Sequence, residues 1–517
     1  MLVTDPRRAI LQSRVLASLG PTKRGYRLVS AAITTLASVA IILLGFRAYS
    51  SFDIVWDSLA YHLPFAARHV GLCGADCLTL SSGLEARFLG FPPLAELTQG
   101  ILWRLTGWPE ATNFASLGAF LLLAAYLRRF WLIPWGLAIL ALLGIPVVQI
   151  MATSSYIDLI TNTAAAIAVL SVLMIVLHLH PERVDYKGQS VAVVSLIFLG
   201  NAKTQMVPVA GLLGLLFLVF ENICVRPEQR GPWRIDRSHR GGVITGGLLL
   251  ILISASALKD LVLFGNPFYP VGLSILGIHL PGTEGYPFSD AIPDYLRNVP
   301  NPVRWLLSVA EFQSYDYRPT PWTLDQSGVE QSMRSFRIGG YFVANVLVTM
   351  ALFIFGAKRL PAALKNRIYI AMTLLTVVVA FLPESQQLRY YMFWMIVLVA
   401  LNLYISFSPI CPDFPDRELL ARMGLGWVVV CFLSVLSLSG ARYFMPGVYF
   451  MRGGGTAEQI VINSGIRNIV NTKINDGDVV CVQDKGPLAT LYARVFHPGR
   501  HYSVIVDGDP SKCNKVI

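Results

Sequence analysis

The chain has 517 residues, of which 54% are hydrophobic and only 14% charged, with a mean hydropathy of +0.56. Soluble domains carry about 25% charged residues, so an ordinary soluble fold is excluded and a polytopic α-helical membrane protein is expected. The net charge of +11 is no nucleic-acid signature, because the arginines cluster in short stretches between apolar runs, where they orient membrane spans.

In chain order, the stretch "MLVTDPRRAILQSRVLASLGPTKRGYR" (1–27) sets Arg7, Arg8, Arg14, Lys23, Arg24 and Arg27 against the single acid Asp5. Its first apolar run starts too late for a signal peptide, so it reads as a basic cytoplasmic tail. A first span over 28–46 then delivers Asp53 and Asp57, in "DIVWDSLAYHLPFAARHV" (53–70), to the external side. The segment "FPPLAELTQGILWRLTG" (91–107) is short for a span and holds Glu96 and Arg104. Reading it as an interfacial or re-entrant helix keeps the Arg128–Arg129 pair inside.

Further spans are expected at about 110–127, 131–150, 157–177, 190–202, 205–220, 243–264, 340–356, 368–382, 389–407 and 425–441. With the first, that makes roughly eleven, with a cytoplasmic N-terminus and an external C-terminus. The arginine-rich loop 221–241 and the loop 357–367 then face inward. A transmembrane domain over 28–441 is thus expected to carry a long first external loop (47–109) and a large external loop (265–339). The stretch "RGGGT" (452–456) reads as a flexible joint. Beyond it, alternating helical and strand-like runs such as "DVVCVQ" and "YSVIV" suggest that 442–517 holds a small external α/β domain.

On this topology Cys73, Cys77, Cys481 and Cys513 are external, whereas Cys224, Cys411 and Cys431 are cytoplasmic or within spans. An even external set can pair in an oxidising compartment. Four cysteines allow three connectivities, one of which closes "CGADC" and joins Cys481 to Cys513.

Several ionisable residues fall at the external ends of spans. On a helix, Asp57, Tyr61 and Arg68 share a face at offsets of four and eleven, with Pro64 set to kink it or open a new helix. Asp158 in "ATSSYIDLITN" (152–162) opens another span from the same side. Lys203 in "GNAKTQ", Lys259 before "FGNPFYPV" and Arg389 in "PESQQLRYY" supply cations at that level. Acids and cations at one membrane face suit the holding of a phosphate-linked lipid while a carboxylate acts on an acceptor.

These features in this order resemble the GT-C superfamily of membrane glycosyltransferases, the group of protein O-mannosyltransferases and the lipid A aminoarabinose transferase. The resemblance rests on Asp57 with Tyr61 and Arg68, the "FPPLAELTQGILWRLTG" helix, "YIDL", "NAKTQ", "GNPFYP" (265–270) and "LRYY" (388–391), and it spans about residues 28–400. It implies an inverting enzyme of the cell membrane that moves a sugar from a polyprenyl-phosphate donor to a lipid, glycan or protein acceptor at the external face. It further implies Asp57 as general base, with Asp53 as the alternative one helical turn away, and Asp158 as a second acid that orients the acceptor or helps a divalent cation. Lys203, Lys259, Arg389 and Arg68 would bind the donor phosphate, and Tyr61 and His62 would line the acceptor side of the cavity. Ser58 stands where many relatives place a second acid, which weakens the metal assignment. A transporter of lipid-linked sugars and a non-catalytic scaffold for envelope glycan assembly are the alternative readings.

Overall fold

In a computed structural model, residues 23–177, 186–224, 240–275, 277–285, 296–313, 322–323, 337–407, 417–446 and 454–517 are described. The basic tail up to residue 22, loop residues 225–239, Cys411, Arg452–Gly453 and much of 286–336 lie outside them. Apolar runs in this chain fold as helices, the arrangement that satisfies every backbone polar group locally where water is absent. Helix α1 (Lys23–Ser50) leads through a π-helical turn (Ser58–His62) to α2 (Leu63–His69), β1 (Leu78–Thr79), α3 (Ser82–Gly90) and α4 (Leu94–Thr106). Eight helices follow: α5 (Asn113–Phe130), α6 (Trp135–Leu143), α7 (Pro146–Met151), α8 (Asp158–Val176), α9 (Tyr186–Gly200), α10 (Val207–Cys224), α11 (Arg240–Ile253) and α12 (Ala255–Phe264).

Two small three-stranded sheets interrupt the helices. One contains β2 (Val271–Ile275), β3 (Ile278–Leu280) and β4 (Glu284–Gly285); after α13 (Asn301–Val309), the other contains β5 (Phe312–Gln313), β6 (Trp322–Thr323) and β7 (Arg337–Gly339). Four more helices complete the bundle: α14 (Val343–Ala357), α15 (Ala362–Phe381), α16 (Phe393–Phe407) and α17 (Arg417–Leu438). Helices α8 and α16 are both buried on nearly every side, so these two apolar helices form the centre of the bundle.

Among the described residues, five helical stretches are long and apolar enough to cross a membrane: Leu28–Ser50, Pro109–Phe130, Asp158–Val176, Ala362–Phe381 and Glu418–Leu438. Gly246–Ile253 and Ala255–Phe264 meet at a 66° bend and could together make a sixth. Four shorter apolar helices, Gly188–Gly200, Thr204–Phe220, Val343–Ala357 and Phe393–Phe407, cover other expected positions. The run 131–150 is not one helix. It breaks between α6 and α7, where Pro146 has no N–H to continue the ladder and instead opens α7 at its first turn.

The C-terminal residues form α18 (Ala457–Asn463), α19 (Ile466–Lys473), β8 (Val479–Val482), β9 (Ser503–Val506) and β10 (Lys515–Val516). Their sheet is all-parallel, in the order β1-β9-β8-β10, so its outermost strand comes from the first loop: Leu78 pairs with Val504 and Thr79 with Ile505. One apolar cluster joins the two regions, with Phe52, Leu59, Leu63 and Trp103 packed with Val461, Leu491, Phe496 and Val504. The expected flexible joint is anchored where it is described. Phe52 N donates to Gly455 O at 2.7 Å, and Thr456 opens α18 with a reciprocal capping box to Gln459. The first loop and the C-terminal strands therefore make one unit rather than a loop and a separate domain. Disulfides link Cys73 to Cys77 and Cys481 to Cys513, both within this unit.

Candidate functional site

The chain leaves α1 and is pinned at once by Asp53. One carboxylate oxygen accepts from Ser58 Oγ at 3.0 Å, Ser154 Oγ at 2.5 Å and Ser155 N at 2.9 Å, and the other accepts from Val55 N at 3.2 Å. Such a saturated carboxylate fastens the first loop to the segment before α8. It does not line the cavity described below.

Asp57 sits at the start of the π turn, in which Leu63 N–H bonds Ser58 O five residues back. Five residues along an α-helix turn through about 500°, leaving side chains some 140° apart. The wider π turn reduces that angle, and Asp57 and His62 both line the same cavity. Pro64 then stands in the first turn of α2, where its missing N–H costs nothing.

Three more helix ends bring their charges to Asp57. Asp158 opens α8, Lys203 lies in the turn between α9 and α10, and Arg389 lies in the 3₁₀ turn (Leu388–Tyr391) before α16. Arg389 Nη1 stands 2.8 Å from Asp57 Oδ2 and 3.6 Å from Asp158 Oδ2, while Lys203 Nζ hydrogen-bonds Asp158 Oδ1. Two carboxylates and two cations thus form one chain of alternating charge. Aromatic rings pack on the cations: Lys203 Nζ is 3.6 Å from the centre of the Tyr390 ring, and the Arg389 guanidinium is 4.7 Å from that of Tyr156. One turn below Asp158, Asn162 holds the arginine segment by donating to Arg389 O at 3.0 Å and accepting from Phe393 N at 3.0 Å. Burial opposes ionisation of Asp57. The opposing pull of the Arg389 guanidinium, with His62 and Lys203 behind it, outweighs that and holds the carboxyl below its ordinary range.

This network borders a cavity of about 1230 Å³ at one end of the helix bundle, lined by Asp57, Lys203 and Arg389 among others. Its walls hold two further pairs. His62 Nδ1 lies 3.1 Å from Glu96 Oε1 on α4, both side chains almost fully buried. Arg87 on α3 grips Glu284 on β4 through two bonds, 2.5 and 3.0 Å long, tying the first loop to the β2–β4 sheet. Trp56, Tyr61, Phe91, Phe268 and Tyr390 add aromatic surface.

Of the residues singled out in the sequence, Asp57, Tyr61, His62, Asp158, Lys203 and Arg389 come together. Arg68 does not: it pairs with Glu85 at 2.6 Å over the Phe88 ring, inside the first loop. Lys259 does not either, since its ammonium donates to Leu89 O at 2.6 Å and pairs with Asp260 at 3.0 Å, away from the cavity. Arg87, Glu96 and Glu284 were missed. Glu96 carried the one available signal, a carboxylate in an otherwise apolar helical stretch.

Among the described residues no group of three or more metal-ligating side chains converges. The acid pair itself does not fit a divalent cation, which takes several oxygen ligands. Asp57 and Asp158 are both already neutralised by Arg389 and Lys203. No protein-family model and no curated protein matches the chain.

Proposed function

We propose that the protein is a membrane glycosyltransferase of the GT-C type, moving a sugar from a polyprenyl-phosphate donor to an acceptor with inversion at the sugar carbon. The observation that carries this reading is the convergence of Arg389 and Lys203 with Asp57 at a cavity large enough for a glycosyl phosphate. The leaving group is a phosphate oxygen that gains charge as the C–O bond breaks, so two buried cations stabilise the transition state more than an acid would. Asp57 is the first candidate to receive the acceptor's proton, and Asp158 holds Lys203 and Arg389 in place.

In this reading the charge network is external. The shorter and broken apolar helices cross the membrane as partial spans beside the full-length ones, giving about eleven crossings with the N-terminus cytoplasmic. The unit formed by the first loop and the C-terminal strands then stands outside the membrane, where its disulfides persist.

The test is release of free polyprenyl phosphate, read by mass spectrometry. Purified protein meets a panel of polyprenyl-phosphate-linked pentoses and hexoses, with native membrane extract as acceptor. Asp57→Asn is expected to lower release by about 10² to 10⁴-fold while leaving donor binding intact. Tight donor binding by the wild type without release would replace this reading with transport of a lipid-linked sugar.

A further inference from the structure

Resting on that reading, one pair in the cavity wall has no part in the chemistry so far. Glu96 is 1% exposed, and its Oε2 has no hydrogen-bond partner among the described residues, so its near-complete burial is matched by a single polar contact, the one to His62. Burying a carboxylate this way is expensive, and packing α4 against α2 does not require it. A carboxylate facing Nδ1 keeps the proton on that nitrogen. The other nitrogen, Nε2, is then an acceptor. It makes no bond to a described residue, and the ring lines the cavity.

Asp57 contrasts with it. One of its carboxylate oxygens, Oδ2, is paired with Arg389 at 2.8 Å, and that guanidinium depresses its basicity. A base must have a lone pair to offer, and His62 Nε2 offers one on a group that no cation among the described residues is paired with. Charged and titratable groups near the ring include Asp57 and Tyr61 on its own turn, Tyr156 before α8, and Arg389, which is paired with Asp57; the Tyr61 and Tyr156 ring centres lie 4.3 and 5.8 Å away.

We infer that His62, oriented by Glu96, is the group that takes the acceptor's proton, and that Asp57 acts through it. In the step, the acceptor's O–H or N–H gives its proton to His62 Nε2 as the acceptor atom bonds to the sugar's C1. The C1–O bond to phosphate breaks, and its electron pair leaves on polyprenyl phosphate. The imidazolium so formed has Glu96 on one side and Asp57 on the same turn, two carboxylates that stabilise it until it passes the proton to water. Asp57 is thereby essential without being the proton's destination.

The deciding experiment is single-turnover release of polyprenyl phosphate by wild type, Asp57→Asn, His62→Gln, His62→Ala and Glu96→Gln, with donor binding measured on each as the check on folding. Release by His62→Gln is expected to fall about 10² to 10⁴-fold with donor affinity unchanged, and by Glu96→Gln about 10- to 100-fold. Free imidazole is expected to restore part of the rate to His62→Ala and none to Asp57→Asn, a rescue that a merely structural histidine would not show. Release by His62→Gln within threefold of wild type, or no imidazole rescue in a His62→Ala protein that still binds donor, overturns the inference and leaves Asp57 as the base. A wild type that releases nothing from any donor overturns the functional reading itself, and this inference with it.

Discussion

At the scale of single residues, the site is held by pairing rather than by exposure. Arg389 serves two carboxylates at once, so Arg389→Gln leaves Asp57 and Asp158 facing each other without their shared cation. Breaking a buried pair from one side costs about 3–5 kcal/mol, whereas removing both partners costs much less. Arg389→Gln is therefore expected to lower thermal stability more than the double variant Asp57→Asn/Arg389→Gln, a comparison that a double-mutant cycle in detergent decides. A second residue makes stability depend on pH. His497 in the C-terminal unit is 3% exposed, its Nε2 bonds Leu491 O at 2.9 Å, and its Nδ1 is buried with no partner among the described residues. Burial lowers its pKa, the Leu491 carbonyl opposing and the Arg467 and Arg500 charges adding to the effect. The unfolded chain then binds the proton more readily than the folded one. The stability tied to His497 is fully present above the ordinary imidazole value of about 6.5 and is lost as pH falls toward the depressed folded value. Thermal unfolding followed from neutral pH to about pH 5 should show this loss, and His497→Gln should flatten it. Asp57, Asp158, Lys203 and Arg389 were all legible in the sequence, because ionisable side chains at the ends of apolar runs are conspicuous. Arg87 and Glu284 were not, since they find each other across 197 positions and no local pattern joins them.

At the scale of elements, the π turn explains both a success and a failure of sequence reading. Helical offsets of four and eleven place Asp57, Tyr61 and Arg68 on one face. The inserted residue rotates everything after it, so Asp57 and Tyr61 stay at the cavity while Arg68 turns to Glu85. Periodicity carries no mark of such an insertion. Helix α4 also has to come very close to α2 for Glu96 to reach His62. Gly100 permits this: a Cβ there would lie 2.2 Å from Ala66 O, a backbone atom that cannot swing away. Gly100→Ala is expected to push α4 outward, costing about 1–3 kcal/mol, and to lower turnover by separating Glu96 from His62. Unfolding and turnover measured on the same preparation test this. Equal loss in a Glu96→Gln background would show that the effect does not run through the histidine.

At the scale of the whole molecule, the sequence separates the C-terminal residues from the membrane domain at a glycine-rich stretch, yet the structure joins them. Composition favoured a linker at "RGGGT"; what it could not display is that Phe52 N donates to Gly455 O and that β1 pairs with β9 beyond it. Thr490 Oγ1 donates to Leu59 O at 2.8 Å, inside the π turn itself, and the side chain of Glu110 accepts from Ala457 N at 2.6 Å. Among the described residues, none beyond Tyr390 lines the cavity. Even so, truncation after residue 446 is expected to abolish turnover, because it removes the sheet and the apolar cluster that shape the Asp57–His62 turn. Limited proteolysis should find the first loop protected in the full chain and cut in the truncated one, and an active truncated protein would refute the coupling.

The pairing of β1 with β9 has a further consequence in time. Strand β1 is synthesised early, and the strand it pairs with, β9, arrives roughly four hundred residues later. At about 5–20 residues per second, that is a wait on the order of 20–80 seconds. Throughout it the nascent chain holds its first loop without the scaffold that shapes it, while the helices between are laid into the bilayer one after another. The first loop of a newly made molecule thus reaches its final pairing only once β9 is in place. A chain released before β9 is made leaves β1 without its partner.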